Sequence, residues 1–181
     1  MTARPLAAQA APVLVSADWL AQHLHDPDLV VIHAAQQDSD YAAGHVPGAR
    51  WLAWTAYTVS TPGGLSVQLP TAEQAAEALA SIGVRDNSRI VIAGGPIQVS
   101  ARLYYTLDYF GLGDRTSLLD GGIGAWRAAK RPTETAAPAA PARGHVTLRP
   151  LATRLATEDW VRDHGTNAGV SLLDARLPQF F

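Results

Sequence analysis

Six residues, Gly94, Gly95, Pro96, Ile97, Gln98 and Val99, form a loop of the kind that holds a reacting group. The loop follows the apolar run Arg89–Ala93, in which Ile90, Val91 and Ile92 are adjacent, the pattern of a strand buried on both faces. A helical pattern comes next, with Leu103, Leu107 and Phe110 at i, i+4 and i+7 and Gly111 as its stop. A loop at the C-terminal end of a parallel strand, opening a helix, is where α/β sheets place their chemistry. Its N–H groups and the helix dipole favour an anion. Yet no Cys, His, Lys, Asp or Glu lies between Ala93 and Ala101. Ser100 is the hydroxyl at the loop's mouth. With no flanking His–Asp arrangement it reads as the N-cap of the helix rather than as a nucleophile. Ser100 and Arg102, one turn into the helix, are the candidate contacts for an anion or a neighbouring domain.

Other reactive side chains point to structure more than to catalysis. His45, in the run YAAGHVPGA (Tyr41–Ala49), has the chemistry of an acid–base group but is expected to fix its loop. His23 and His25 are two apart on a helix and point away from each other, so they share no metal. Asp38 and Asp40 lack the spacing of a calcium loop and read as a solvated turn. Gly122-x-Gly124 lacks the third glycine of a dinucleotide fingerprint, since Arg127 stands there. The GLSVQ run at 64–68 lacks the closing glycine of a nucleophile elbow. The residues therefore imply no catalytic group, no metal and no cofactor.

The elements that must position the loop alternate strand with helix. Val13–Val15 is a short strand, and Ser16 caps a helix carrying Trp19, Leu20 and Leu24 on one face. Strands are expected at Leu29–His33, Arg50–Trp54, Arg89–Ala93 and Thr116–Leu119. Thr71 and Gln74 make a capping box on a helix that ends at Gly83. DGGIGAWRAAK turns through Gly121, Gly122 and Gly124 into a helix carrying Trp126. Alternation of this kind argues for an α/β fold, a central, mostly parallel sheet with helices on both faces.

Of the 181 residues, 48% are hydrophobic and 17% charged, with a net charge of −2, as in a globular domain. That charge gives no reason to expect nucleic acid or an anionic membrane as partner. No apolar run approaches the ~20 residues that span a bilayer, and a cytoplasmic protein is expected. There are no cysteines, which excludes disulfides and thiolate chemistry within these residues.

Residues 1–12 read as a flexible leader, 13–131 as one domain and the Ala/Pro-rich stretch 132–149 as a semi-extended linker. From residue 150 a second unit begins. SADWLAQHLHDPDLVVIHAA at 16–35 aligns without a gap on TEDWVRDHGTNAGVSLLDAR at 157–176, 141 positions on. Asp18, Trp19, His23 and Ala34 recur as Asp159, Trp160, His164 and Ala175. A second copy of equal length would extend well past Phe181, so 150–181 is expected to be the truncated start of one. A lone helix and strand cannot bury their apolar faces. That start, with its Phe180–Phe181 pair, should be poorly stable by itself.

YAAGHVPGA resembles the Y-x-x-G-H-[IV]-P-G-A signature of rhodanese-type sulfurtransferases, and SLLDGGIGAWRAAKRP (Ser117–Pro132) resembles the stretch that ends their domains. Leu172–Arg176 looks like the opening strand of a second such domain. Order and duplication are similar to those of the tandem thiosulfate or 3-mercaptopyruvate sulfurtransferases. The resemblance implies transfer of a sulfane sulfur, through a persulfide on one cysteine, to a thiophilic acceptor such as cyanide. That cysteine opens a loop before the helix, and counting back seven from Ala101 puts its position at Gly94. Val99 stands where a loop-closing cation is usual, and Pro96 removes one N–H. His33 and Ala35 replace an Asp-x-Arg pair that Asp174 and Arg176 keep, and Ala53 stands where an acid often follows. Tandem members usually keep the cysteine in the second domain. The resemblance thus implies a non-catalytic first domain, inactive alone, that meets small sulfur-containing anions only through a catalytic partner domain. A cysteine-less module that binds anions or proteins is the alternative.

Overall fold

The computed structural model describes residues 10–63 and 65–175. Most of the expected leader lies outside them, as do Gly64, Arg176 and the Phe180–Phe181 pair. Contacts divide the chain into a unit that runs through Leu151 and a second from Ala152.

Five strands form the first unit's sheet: β1 (Leu14–Val15), β2 (Leu29–Ala35), β3 (Arg50–Ala53), β4 (Arg89–Ile92) and β5 (Thr116–Leu119). Their order is β1-β5-β4-β2-β3, and every pairing is parallel. β4 is thus the middle strand, as its unbroken apolar run requires. Successive side chains alternate between faces. Val30, Ile32, Ala34, Ile90 and Ile92 pack on one side, with Leu79 from α3 (Ala72–Ser81) and Leu103 and Leu107 from α4 (Ile97–Tyr109). Val31, Val91 and Ala93 pack on the other, with Leu20 from α1 (Ala17–His23) and Trp126 from α5 (Gly122–Ala128). Both faces are covered, as expected for a doubly wound sheet.

Caps fall where the side chains put them. Ser16 accepts from the Trp19 N–H, and Thr71 and Gln74 complete both halves of their capping box. A short helix, α2 (Asp38–Ala42), replaces the expected solvated turn; Asp38 and Asp40 occupy its first turn, where carboxylates oppose the dipole favourably.

Residues 132–151 contain no helix or strand, but they do not hang free. Trp126 Nε1 donates to the Pro132 carbonyl at 2.7 Å. Glu134 and His45 exchange two backbone hydrogen bonds, 2.9 and 3.0 Å. Further on, the Gly144 N–H reaches the Ala80 carbonyl at 2.9 Å and the Thr147 N–H reaches Asp86 Oδ1 at 2.7 Å. Val146 is buried in the core. The stretch 132–151 is a strap on the first unit.

The second unit holds a single α-helix among its described residues, α6 (Glu158–His164), capped by Thr157. It copies α1 locally. His23 stacks on Trp19 with ring centroids 4.0 Å apart, and His164 stacks on Trp160 at 4.9 Å. In both, the histidine Nδ1 bonds the tryptophan carbonyl. The opening strand expected at Leu172 does not form: 171–175 carries no strand pairing, and Leu173 is 91% exposed. A strand needs a neighbour for its backbone groups, and the second unit supplies none among the described residues.

Candidate functional site

The candidate site is the C-terminal end of β4. Gly94, Gly95 and Pro96 turn the chain, the Gly95–Pro96 peptide is cis, and α4 begins at Ile97. The sequence pattern places Ser100 at the cap of α4, but the cap is Pro96, whose extended backbone starts the helix a turn earlier without a side-chain hydrogen bond. Ile97, Gln98 and Val99 are therefore helical. Ser100 lies inside the helix, 3% exposed, and its Oγ has no hydrogen-bond partner.

The loop cannot carry a side chain where chemistry would begin. A β-carbon on Gly94 would fall 2.0 Å from the Ala34 carbonyl oxygen in β2. One on Gly122 would fall 2.5 Å from the Gly94 carbonyl oxygen, at a positive φ of 55°. The backbones of β2, the loop and the Gly121–Gly122 turn are packed directly on one another, a closeness only glycine allows.

Two hollows flank the Gly95–Pro96 turn. One, about 430 Å³, is lined by the turn, Ile97, Ser100 and the Leu119–Gly124 run. Asp120 is the only charged residue in that lining among the described residues. The other, about 390 Å³, is lined by His33, Gln36, Asp40 and Arg127. His33 is 1% exposed. Burial first, and the His45 ring second, push its pKa down to about 4, so it is neutral at pH 7. Arg127 donates to the Gly44 carbonyl at 2.9 Å and the Ala43 carbonyl at 3.3 Å, fixing the turn after α2.

His45 is fully buried. Its ring stacks on Tyr41 at 3.7 Å, and its Nδ1 donates to the Tyr41 carbonyl at 2.9 Å. The loop-fixing role expected of it fits this geometry. Arg102 is not part of either hollow. It donates to the Val67 carbonyl at 2.7 Å and lies over the Tyr105 ring. The structure thus brings Gly94–Ile97 and Ser100 together but separates Arg102 from them. Asp120 and Arg127, which sequence reasoning passes over, reach the site. All strands are parallel, so the turn after β5 must end beside the loop after β4; the DGG run is the available signal.

No hydrogen bond joins Ser100 to a histidine among the described residues. Without a paired base the hydroxyl is a weak nucleophile. Among those residues no cluster of His, Asp or Glu could hold a metal ion, and no helix is long and apolar enough to cross a membrane.

A five-stranded parallel sheet covered by helices on both faces, whose middle strand runs into a tight, helix-opening loop, defines a doubly wound α/β domain. The chain belongs to the rhodanese-like domain family, whose model matches residues 16–129, and within it to the rhodanese-type sulfurtransferases. It is 34% identical over 123 residues to 3-mercaptopyruvate sulfurtransferase from Escherichia coli, covering 62% of this chain and 43% of that one. It is 30% identical over 172 residues to thiosulfate sulfurtransferase from Azotobacter vinelandii, covering 93% and 61%. Among solved structures, that of the Escherichia coli 3-mercaptopyruvate sulfotransferase SseA superposes with a TM-score of 0.68 at 26% identity, covering 78% of this chain and 56% of that one. The chain spans about half the length of the curated relatives it matches.

Proposed function

We propose that this chain is the non-catalytic N-terminal half of a tandem sulfurtransferase acting in the cytoplasm. In this reading the whole protein moves a sulfane sulfur from thiosulfate or 3-mercaptopyruvate to a thiophilic acceptor such as cyanide. This half carries no sulfur; it supports a partner domain that does. One observation carries the reading: Gly94, at the position where the family's cysteine is expected, is pressed against the Ala34 backbone. The capped Trp–His helix that recurs 141 positions on supports a tandem arrangement.

The alternative, an anion-binding module at Gly94–Val99, has less support. Asp120 is the charged side chain at that hollow, and a carboxylate there opposes a bound anion. The test is thiocyanate production from thiosulfate and cyanide, and pyruvate production from 3-mercaptopyruvate, by this chain alone. Both should match a buffer blank. Turnover above the blank overturns the proposal.

A further inference from the structure

At the other end of the strands, the N-terminal ends of β2, β3 and β4 meet the strap. Arg50 opens β3, and Arg85 lies in the turn between α3 and β4. Both line a pocket of about 310 Å³ that also includes Asp28 and Asn87 and is walled by Pro141 and Ala142 of the strap. Arg50 Nη1 donates to the Ile82 carbonyl, which aims its guanidinium. The Arg85 guanidinium has no hydrogen bond or ion pair among the described residues.

Two cations here face one carboxylate, and that carboxylate is engaged elsewhere. Asp28 Oδ1 accepts from Asn87 Nδ2 at 2.6 Å, and neither arginine pairs with Asp28. Burial, and then the nearby Arg85 cation, hold the Arg50 guanidinium below its ordinary pKa. Like charges brought together in a partly buried hollow repel, and a bound anion relieves that repulsion. Arginine's planar fork suits a tetrahedral oxyanion, which can accept from both residues at once.

We propose that Arg50 and Arg85 together hold a small oxyanion of the sulfate or phosphate class in this pocket. Bound there, the anion joins the start of β3 to the α3–β4 turn beside Pro141 and Ala142. The site lies at the N-terminal end of the strands, opposite the Gly94 loop, and does not rest on the sulfur-transfer reading.

The test is calorimetric titration of the whole chain with sodium phosphate and sodium sulfate, ionic strength being held constant with chloride. Saturable binding at one site, with the two anions competing, is expected. Arg85→Gln, an exposed position that the fold does not need, should weaken it by about tenfold or more, the worth of one charge-assisted hydrogen bond. Arg131→Gln removes the same charge at a residue paired with Asp18, away from the pocket, and should leave binding unchanged. Phosphate should also raise the melting temperature of the parent and not of the Arg85 variant. No saturable heat in the parent, or equal affinity in parent and Arg85→Gln, overturns the proposal.

Discussion

Gly94 and Ala34 are in backbone-to-backbone contact: a β-carbon at Gly94 would lie 2.0 Å from the Ala34 oxygen and 2.6 Å from its nitrogen. Ala34 sits in β2, which pairs directly with β4, so neither backbone can move without breaking sheet register. Gly94→Ala and Gly94→Cys should each destabilise the domain by roughly 3 kcal/mol, at the upper end for overpacking. The cysteine variant should gain no sulfurtransferase activity. At Gly95 the nearest atom to an added β-carbon is Ile123 Cγ2 at 3.7 Å. Gly95→Ala should therefore cost less than about 1 kcal/mol. Chemical denaturation of the three variants checks the order, and a Gly94 variant as stable as the parent refutes the contact.

His33 makes stability depend on pH. Its native pKa is about 4 against 6.5 in an open chain, so below pH 6.5 the unfolded state binds more protons than the native state. Stability should be fully present above pH 6.5 and fall as the pH drops towards 4. The loss is up to roughly 3 kcal/mol, since each tenfold difference in proton affinity between the two states is worth about 1.4 kcal/mol. Denaturation midpoints at pH 7, 6 and 5 measure it. His33→Gln should flatten the profile over that range, and an equal slope in the variant would assign the effect to other groups.

Tyr41 isolates one buried hydrogen bond. Its hydroxyl donates to the Ala49 carbonyl at 2.8 Å and closes the loop that carries His45. Tyr41→Phe keeps the ring stacked on His45 and leaves the carbonyl unpaired. A loss of about 1–2 kcal/mol is expected. An unchanged thermal midpoint would mean that the stack alone holds the loop.

The strap should open when Asp86 is removed. Its carboxylate accepts from the Thr147 N–H at 2.7 Å and from Thr147 Oγ1 at 3.2 Å. Arg143, followed by Gly144, is a trypsin site within the strap, whereas Arg149 precedes Pro150 and resists the enzyme. Asp86→Ala should speed cleavage after Arg143 by roughly 5- to 30-fold, the range for 1–2 kcal/mol of local stability, at little change in the global melt. Equal cleavage rates would show that Val146 and the Gly144 hydrogen bond suffice.

The central unit is legible in the sequence because several local signals agree. The apolar run at Arg89, the glycines and proline after it, and the helical spacing of Leu103 and Leu107 all mark the same strand, loop and helix. Caps are legible for the same reason: Ser16 and Thr71 bond N–H groups three residues away, a strictly local event. Ser100 misleads because a serine before a helical stretch looks the same whether it caps the helix or lies one turn inside it. The strand expected at Leu172 misleads because its apolar pattern needs a pairing partner that pattern cannot supply.

By itself the sequence determined the family, the alternation of strands and helices, and the absence of a thiol at Gly94. These follow from residue types and spacings that act over a few positions. Only the tertiary structure decided that Gly94 is pressed against the Ala34 backbone, that His33 is buried neutral, that Asp120 and Arg127 reach the site, and that Arg85 faces Arg50. Each of these joins segments distant in the chain. The sheet order and the packing of its loops bring them together, and no local pattern encodes that order.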